Sequence, residues 1–351
     1  MFKSTNQLYP NNGTLRNGTW IRKLPSKFTS GQVSQYLSVI EYNPIYSAED
    51  IAASAFPVNL ETLERIMLLH HLTFPFENIQ MHYTPEHDMQ VIPRLLLPRF
   101  LEDKNGSYCF GHHGILLEVL RGLGFRPMID NDEYSYGANN HTLLLVQPFE
   151  NSNKTYVVDV GIGSGCLMRP LLLSADPNNM VYGLTETERH RLSFEPNPDS
   201  SLDTPDPSAG QWVLEVGHRK SIDAPETWKR LFAFPETECW ITDTLYASYV
   251  VSKATDFQTV FNETVICVKV YTVDEGEGNL SLEKSERPLY RIILDGKQVK
   301  KSFGAKSEVM RTFESELDRI RALREIFGIK IRDEDEEYIK GREAALDVQS
   351  T

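Results

Sequence analysis

The order of helical and strand-like patterns along the chain is the feature that most limits its fold. Up to about residue 125 apolar residues recur at helical spacing, and Asn59 is a candidate cap for one such helix. From His141 onward most apolar runs are short and separated by polar links of hairpin length. A last helix is predicted over 314–327, with Gly328 as its cap. Because parallel β-α-β alternation is absent, we expect an α+β fold.

Composition places the chain among ordinary globular proteins. Its 351 residues are 40% hydrophobic and 24% charged, enough for two or three domains with a large core. The net charge of -13 argues against an extended nucleic-acid surface, although a local basic pocket for a phosphorylated cofactor is compatible with it. Apolar runs are far shorter than the roughly 18 residues of a membrane helix, and no signal-peptide pattern begins the chain. We therefore predict a cytoplasmic protein without membrane partners.

The cysteines indicate neither a disulfide framework nor a metal centre. Cys109, Cys166, Cys239 and Cys267 are widely spaced and contain no C-x-x-C pair, so we expect reduced thiols. Two histidines closely follow Cys109, but the three positions lack the spacing of metal ligands and no fourth ligand is indicated. The sequence therefore predicts no metal site.

Cys109 lies where a nucleophile can be activated. The small, flexible run 105–107 precedes it, and a helical pattern follows that ends at Gly124. Backbone N–H groups at the start of a helix, together with the positive end of its dipole, stabilise a thiolate. Most buried cysteines are inert, so a purely structural role is the commoner interpretation of this residue alone.

Two later segments contain the partners that a cysteine nucleophile needs. His141 begins the apolar strand HTLLLV, and Asp159 ends the strand in TYVVDVGIG, just before a glycine turn. Taken singly, the histidine could be a strand-edge residue and the aspartate a turn-former. Together with Cys109 they give a nucleophile at a helix start, a base on one strand and an orienting acid on its hairpin neighbour. The combination favours a Cys-His-Asp triad.

These segments resemble the arylamine N-acetyltransferase family. The family signature R-G-G-x-C is matched by N-G-S-Y-C at 105–109, and its V-D-x-G-x-G segment by 158–163. The histidine strand is similar to HTLLLV, and the P-F-E-N segment stands at 75–78. The resemblance spans roughly residues 33–330.

The resemblance implies an α+β architecture of three parts with a papain-like Cys-His-Asp triad. We predict an N-terminal helical bundle with the nucleophile over residues 31–125, a central antiparallel β-barrel with the histidine and aspartate over 126–230, and a C-terminal α/β lid over 231–330. Residues 1–30, which are polar, are expected to form a disordered extension, and 331–351 an acidic tail at the periphery.

The resemblance also implies an activity, the acetyl-CoA:arylamine N-acetyltransferase reaction of xenobiotic metabolism. In a ping-pong transfer, Cys109 takes an acyl group from acetyl-CoA or another acyl-CoA and passes it to an aromatic amine, hydrazine or hydroxylamine. His141 moves the protons, and Asp159 orients it. The acyl-CoA is a co-substrate, and no permanently bound cofactor is expected. We expect a monomer or a weak homo-oligomer.

Further site residues follow from the resemblance alone. It implies that Phe76, Phe110 and Ile162 line the substrate pocket. It also implies that Gly137 and Asn139 contact the coenzyme.

The chain departs from the family pattern around the nucleophile. Asn105 replaces the signature arginine, and Val39 replaces the arginine of an early Y-x-x-R-I motif. In the family these arginines and the P-F-E-N glutamate form an ionic cluster beneath the site. Here Glu77 remains, and we predict Lys104 as its substitute partner in the support shell, without the bidentate fork of an arginine.

Smaller departures occur on both sides of Cys109. Ser107 replaces the second signature glycine, Gly111 stands where a polar or acidic residue is usual, and His113 stands where the family commonly has asparagine. These changes leave the triad intact and bear on acyl and acceptor specificity.

Two other function classes stay open from the residues. The same triad order suits a cysteine hydrolase or transglutaminase-like enzyme acting on a natural-product amide, which would cleave amides rather than form a stable acyl adduct. A non-catalytic family member would lack thiol reactivity at Cys109 near neutral pH.

Overall fold

The computed structural model describes residues 10–346 except 134–138, 199, 202–205, 207–208, 222, 255–258, 274–287 and 305. Within these residues the helices are α1 (Ser30–Val39), α2 (Ala48–Ala52), α3 (Leu60–Thr73), α4 (Ile79–Tyr83), α5 (Pro93–Leu101), α6 (Cys109–Leu123), α7 (Ile241–Lys253), α8 (Val260–Glu263) and α9 (Glu316–Phe327). No helix in this part of the chain is long and apolar enough to span a bilayer.

The strands in the described part of the chain are β1 (Phe76–Glu77), β2 (Arg126–Glu133), β3 (Asn139–Gln147), β4 (Tyr156–Val158), β5 (Leu171–Leu172), β6 (Met180–Tyr182), β7 (Glu188–Glu195), β8 (Gln211–His218), β9 (Thr227–Phe234), β10 (Ile266–Thr272), β11 (Leu289–Asp295), β12 (Gln298–Phe303) and β13 (Lys306–Thr312).

The strongest helix predictions are confirmed at their ends. The Asn59 side chain accepts from the Thr62 amide at 2.9 Å and caps α3. Helix α6 begins at Cys109 and ends at Gly124, whose φ of 98° requires the left-handed conformation that glycine adopts without strain. Helix α7 is not predicted by the sequence pattern, because its β-branched isoleucine, threonines and valines are typical of strands.

The central sheet differs from the predicted barrel. Among the described residues its eight strands follow the order β5-β4-β3-β2-β9-β8-β7-β6, and neighbouring strands are antiparallel. The two ends of this order, β5 and β6, are not joined by strand pairing in the described residues. The pairing among the described residues thus gives an open sheet, whose terminal strands are only two and three residues long.

A second sheet, with the order β1-β10-β11-β12-β13, links the first and last parts of the chain. Phe76 pairs with Val268 and Glu77 with Cys267, so the P-F-E-N segment is an edge strand of this sheet. The apolar side of α9 packs on the same sheet, where Leu323 and Phe327 are buried. The predicted order of helices, strands, and strands closed by a helix is therefore present, with β1 added from the helical part.

The predicted disordered extension is wrong for residues 10–30. Leu15, Ile21 and Phe28 are buried in the main core, which lies between the first helices and the central sheet. The Ile21 amide donates to Gln147 Oε1 at 2.9 Å, so this segment is also fixed by a buried side chain of β3. A few well-spaced apolar residues are sufficient to order an otherwise polar segment, since each buried side chain stabilises it by about 1.5–3 kcal/mol.

The predicted peripheral tail is likewise wrong as far as residue 346. Ile339, Ala344 and Leu346 are buried in the apolar core that α9 shares with the second sheet. The fully buried Arg319 donates to the carbonyl of Ala344 at 2.9 Å. The acidic residues before this segment are exposed or half-buried, so the tail has a polar face and a packed face.

We expect Ile339→Ala to lower the free energy of unfolding by about 2–4 kcal/mol, because it leaves a cavity in the second core. Urea denaturation followed by circular dichroism measures this change. The control Glu337→Ala, at an exposed position on the same turn, should stay within about 0.5 kcal/mol of the wild type. Equal stability of the two variants would contradict the packing of the tail.

Candidate active site

The candidate nucleophile lies at the first residue of α6. Cys109 is 2% exposed, and its Sγ lies 3.9 Å from the backbone oxygen of Asn140. That oxygen belongs to β3 and immediately precedes His141, so the start of the helix and the start of the strand meet at the sulfur. Cys109 is the first residue of α6, as the sequence predicts.

His141 and Asp159 are in direct contact on neighbouring strands. His141 Nε2–H donates to Asp159 Oδ2 at 3.1 Å, and the Gly161 amide donates to Asp159 Oδ1 at 2.8 Å. The His141 ring is 4% exposed and the carboxylate is fully buried. Burial alone would raise the pKa of Asp159, but the facing His141 and the hydrogen bonds hold that pKa well below its usual range. The carboxylate is therefore ionised and fixes one ring nitrogen of His141.

A second histidine joins the nucleophile to the aspartate segment. His113 Nδ1–H donates to the carbonyl of Cys109 at 2.9 Å, and the Val160 amide donates to His113 Nε2 at 3.0 Å. The same Nε2 lies 3.3 Å from Asp159 Oδ1, so the ring also faces the aspartate. Burial is the largest influence on His113 and lowers its pKa, which favours the neutral ring. Gly161 lies directly against this ring and the nucleophile, since a Cβ there would be 2.6 Å from His113 Cε1 and 2.7 Å from the Cys109 Cα.

The partner of Glu77 is Arg99, not the predicted Lys104. The fully buried Glu77 accepts from Arg99 at 2.6 Å and from the Ile79 amide at 2.6 Å. Lys104 is exposed and has no ion pair among the described residues. Arg99 faces inward from α5, one turn before the nucleophile loop, whereas Lys104 is in the loop itself with a φ of 54°. Sequence proximity favoured the wrong cation.

The loop 105–108 is held from several directions. Arg99 Nε donates to the Gly106 carbonyl at 3.0 Å, and the Glu77 amide donates to the Ser107 carbonyl at 2.9 Å. Asn105 Oδ1 accepts from the Lys330 amide at 2.9 Å, so the residue that replaces the signature arginine binds the segment after α9. The loop is therefore fixed to α5, β1 and the C-terminal part.

Two of the sequence departures explain each other. A Cβ at Gly111 would lie 2.2 Å from Ser107 Oγ and 2.5 Å from Ser107 Cβ, which is too close for any side chain. The serine in place of the signature glycine thus requires the glycine at 111.

The predicted pocket residues have different surroundings. Phe76 is 8% exposed and packs with Cys109 in one apolar cluster, and a small cavity of about 10 Å³ lies between it and Val160. Ile162 is half-buried and packs against the main core. Phe110 is fully buried, with its ring 5.2 Å from that of Tyr108, so it lies in the core rather than on an open wall. A helix buried on all sides leaves no wall at this position.

The two predicted coenzyme contacts lie at and just before the start of β3 in the sequence. Gly137 lies outside the described residues, and Asn139 is the first residue of β3. In the part of the chain that the structure describes, no group of three His, Cys, Asp or Glu side chains could hold a metal ion.

Comparison with known proteins places the chain beside acyl-transferring enzymes. A family model described as N-acetyltransferase matches residues 59–335. The N-malonyltransferase FDB2 of Fusarium pseudograminearum (strain CS3096) is 27% identical over 92% of this chain and 95% of its own length. The arylamine N-acetyltransferase of Escherichia coli (strain K12) is 27% identical over 52% of this chain and 57% of its own.

The fold is similar to that of a solved structure, the Mycobacterium marinum arylamine N-acetyltransferase in complex with CoA. The match has a TM-score of 0.66 and covers 90% of this chain and 100% of the other, at 20% identity. At this identity the match concerns the fold alone.

We expect Arg99→Met to destabilise the protein by about 2–4 kcal/mol, because it leaves the buried Glu77 carboxylate without its cation. Lys104→Met should change the free energy of unfolding by less than about 0.5 kcal/mol. Chemical denaturation of both variants measures the difference. The reverse order would restore Lys104 as the partner.

We expect the Cys109 thiol to stay more reactive in His113→Asn than in His113→Leu, because an amide can both donate and accept hydrogen bonds, as the neutral imidazole does. The leucine leaves the Cys109 carbonyl and the Val160 amide unpaired in the interior, at a cost of about 1–3 kcal/mol. Alkylation of Cys109 by iodoacetamide measures the reactivity of the thiol in each variant. A leucine variant as reactive as the wild type would show that His113 is dispensable.

Proposed function

The chain belongs to the arylamine N-acetyltransferase family, and on that premise we propose that it transfers an acyl group from an acyl-CoA to an aromatic amine through Cys109. The observation that supports the proposal is the buried His141–Asp159 pair, whose histidine directly follows Asn140, the residue with its backbone oxygen 3.9 Å from Cys109 Sγ. A base held by an ionised acid next to a thiol at a helix N-terminus suits nucleophilic catalysis.

In the first half-reaction the Cys109 thiolate attacks the carbonyl carbon of the acyl-CoA thioester. The tetrahedral intermediate collapses with cleavage of the bond to the CoA sulfur, and the protonated His141 gives its proton to the departing thiolate. The products are free CoA and an acyl-cysteine. Amides at the start of α6 stabilise the oxyanion, and Asp159 stabilises the imidazolium before it gives up its proton.

In the second half-reaction a neutral aromatic amine attacks the acyl-cysteine. His141 removes the proton of the amine as the new amide bond forms, and the Cys109 thiolate leaves. Aromatic amines are weak bases, so they stay neutral and nucleophilic near pH 7. The exchange of one thioester for another and then for an amide requires no metal or redox cofactor in this scheme.

We propose malonyl-CoA as the preferred donor. The Fusarium pseudograminearum relative, which is named for malonyl transfer, is matched over 95% of its length. The Escherichia coli relative, which is named for acetyl transfer, is matched over 57% of its length. Acetyl-CoA, which the sequence resemblance implied, is the second candidate.

Incubation with malonyl-CoA, acetyl-CoA and propionyl-CoA in turn, followed by intact mass measurement, tests both proposals. We expect a single malonyl adduct that forms fastest, that is absent in Cys109→Ala, and that disappears when an aromatic amine such as an aminophenol is added. A preference for acetyl-CoA would overturn the donor assignment alone. No adduct from any donor, with amide cleavage instead, would replace the transferase by a hydrolase.

A further inference from the structure

A buried series of three hydrogen-bonded side chains ends in the first turn of the helix that begins with Cys109. Tyr36 Oη lies 2.7 Å from His70 Nδ1, and His70 Nε2 lies 2.7 Å from His112 Nδ1. All three side chains are at most 1% exposed. They belong to α1, α3 and α6, so the chain crosses three helices and ends on the helix of the nucleophile.

The last ring nitrogen faces two backbone groups. His112 Nε2 lies 3.1 Å from the Pro75 carbonyl, which can only accept, and 3.3 Å from the Ser107 amide, which can only donate. With the shorter contact formed, Nε2–H donates to Pro75, His112 Nδ1 accepts from His70 Nε2–H, and His70 Nδ1 accepts from the Tyr36 hydroxyl. One proton on each ring is sufficient in this arrangement and in the reverse one, in which the Ser107 amide donates to Nε2, so both rings are neutral. Burial agrees with this, since it lowers the pKa of His112 to about 3 and that of His70 well below its usual range.

The His112 ring fills the corner between the nucleophile loop and β1. Its Nε2 is 3.3 Å from the Ser107 amide, and the ring lies 5.3 Å from that of Phe100. Gly106 packs directly against the backbone of Pro75, since a Cβ at Gly106 would be 1.6 Å from the Pro75 oxygen. The His112 amide donates to the Tyr108 carbonyl at 3.1 Å, so this ring and Cys109 share one helical turn.

We propose that His112, oriented by His70 and Tyr36, is a positioning residue for Cys109. This inference deepens the proposed acyl transfer and rests on it. The arginines that the family pattern expects at 39 and 105 are Val39 and Asn105 here, and the neutral chain occupies the protein interior beside the loop that those cations would support. Rotation of the ring would break its links to His70 and Pro75 together, so the ring fixes the distance between the loop and β1.

Two amide variants of His112 test the reach of the side chain, because both keep a neutral group that can donate and accept hydrogen bonds. In His112→Gln the terminal amide reaches the position of Nε2 and can donate to Pro75, whereas in His112→Asn it reaches only the position of Nδ1. We expect the glutamine variant to acylate within about 5-fold of the wild type and the asparagine variant roughly 30-fold more slowly at saturating malonyl-CoA. Single-turnover intact mass measures the rate constant.

Two further variants separate positioning from general loosening of the core. Tyr36→Phe removes only the far end of the chain and should slow acylation by roughly 3–10-fold. His82→Asn is the matched control, because His82 is also fully buried and its Nε2 lies 2.9 Å from the carbonyl of Phe261. It should lower the melting temperature but change the acylation rate by less than about 2-fold.

Equal rates in the glutamine and asparagine variants, or an equal loss in His82→Asn, would overturn the positioning role. Alkylation of Cys109 by iodoacetamide is measured in parallel and needs no acyl-CoA. A wild type that is not acylated by any donor would refute the proposed function, while the order of alkylation rates among the variants would still decide the role of His112. A variant that fails to fold is replaced in the comparison by Tyr36→Phe, for which an unchanged rate contradicts the proposal.

Discussion

The architecture around the nucleophile depends on one carboxylate that has no access to water. Glu77 is fully buried in a two-residue strand, and an unpaired charge at that depth would be strongly destabilising. Arg99 neutralises it and at the same time holds the Gly106 carbonyl. The strand that carries Glu77 pairs with β10 on one side and with Ser107 on the other. One ion pair therefore connects α5, the nucleophile loop and the second sheet.

Local signals were sufficient for much of this structure. Asn59 and the two glycines that follow α6 and α9 determined helix ends, and the short runs containing His141 and Asp159 determined adjacent strands. The contact between that histidine and that aspartate follows from the pairing of β3 with β4. The sequence pattern could not predict contacts between distant segments, such as Arg99 with Glu77 or β1 with β10. The residues around one partner contain no information about which distant segment it will contact.

The departures from the family pattern show two kinds of compensation. Ser107 is larger than the glycine of the family pattern, and Gly111, whose Cβ would overlap Ser107, is smaller than the usual residue there. The two changes offset each other in volume. The hydrogen-bonded series that ends at His112 is neutral, whereas the family pattern has two arginines beneath the nucleophile loop. A neutral network of hydrogen-bonded rings avoids the desolvation cost of buried ions, which can be several kcal/mol for each ion. Its weakness is that each ring must keep a single proton.

Because these rings must stay neutral, the stability of the fold depends on pH. Burial lowers the pKa of several histidines, to about 4 for His71 and about 3 for His82 and His112. In an unfolded chain such rings take up protons near pH 6.5. Below that pH the unfolded state binds more protons than the folded state, so stability falls as the pH falls, until the folded rings also titrate. Each such ring contributes up to about 1.4 kcal/mol per pH unit. Mildly acidic surroundings thus destabilise the histidine-rich interior of the folded protein.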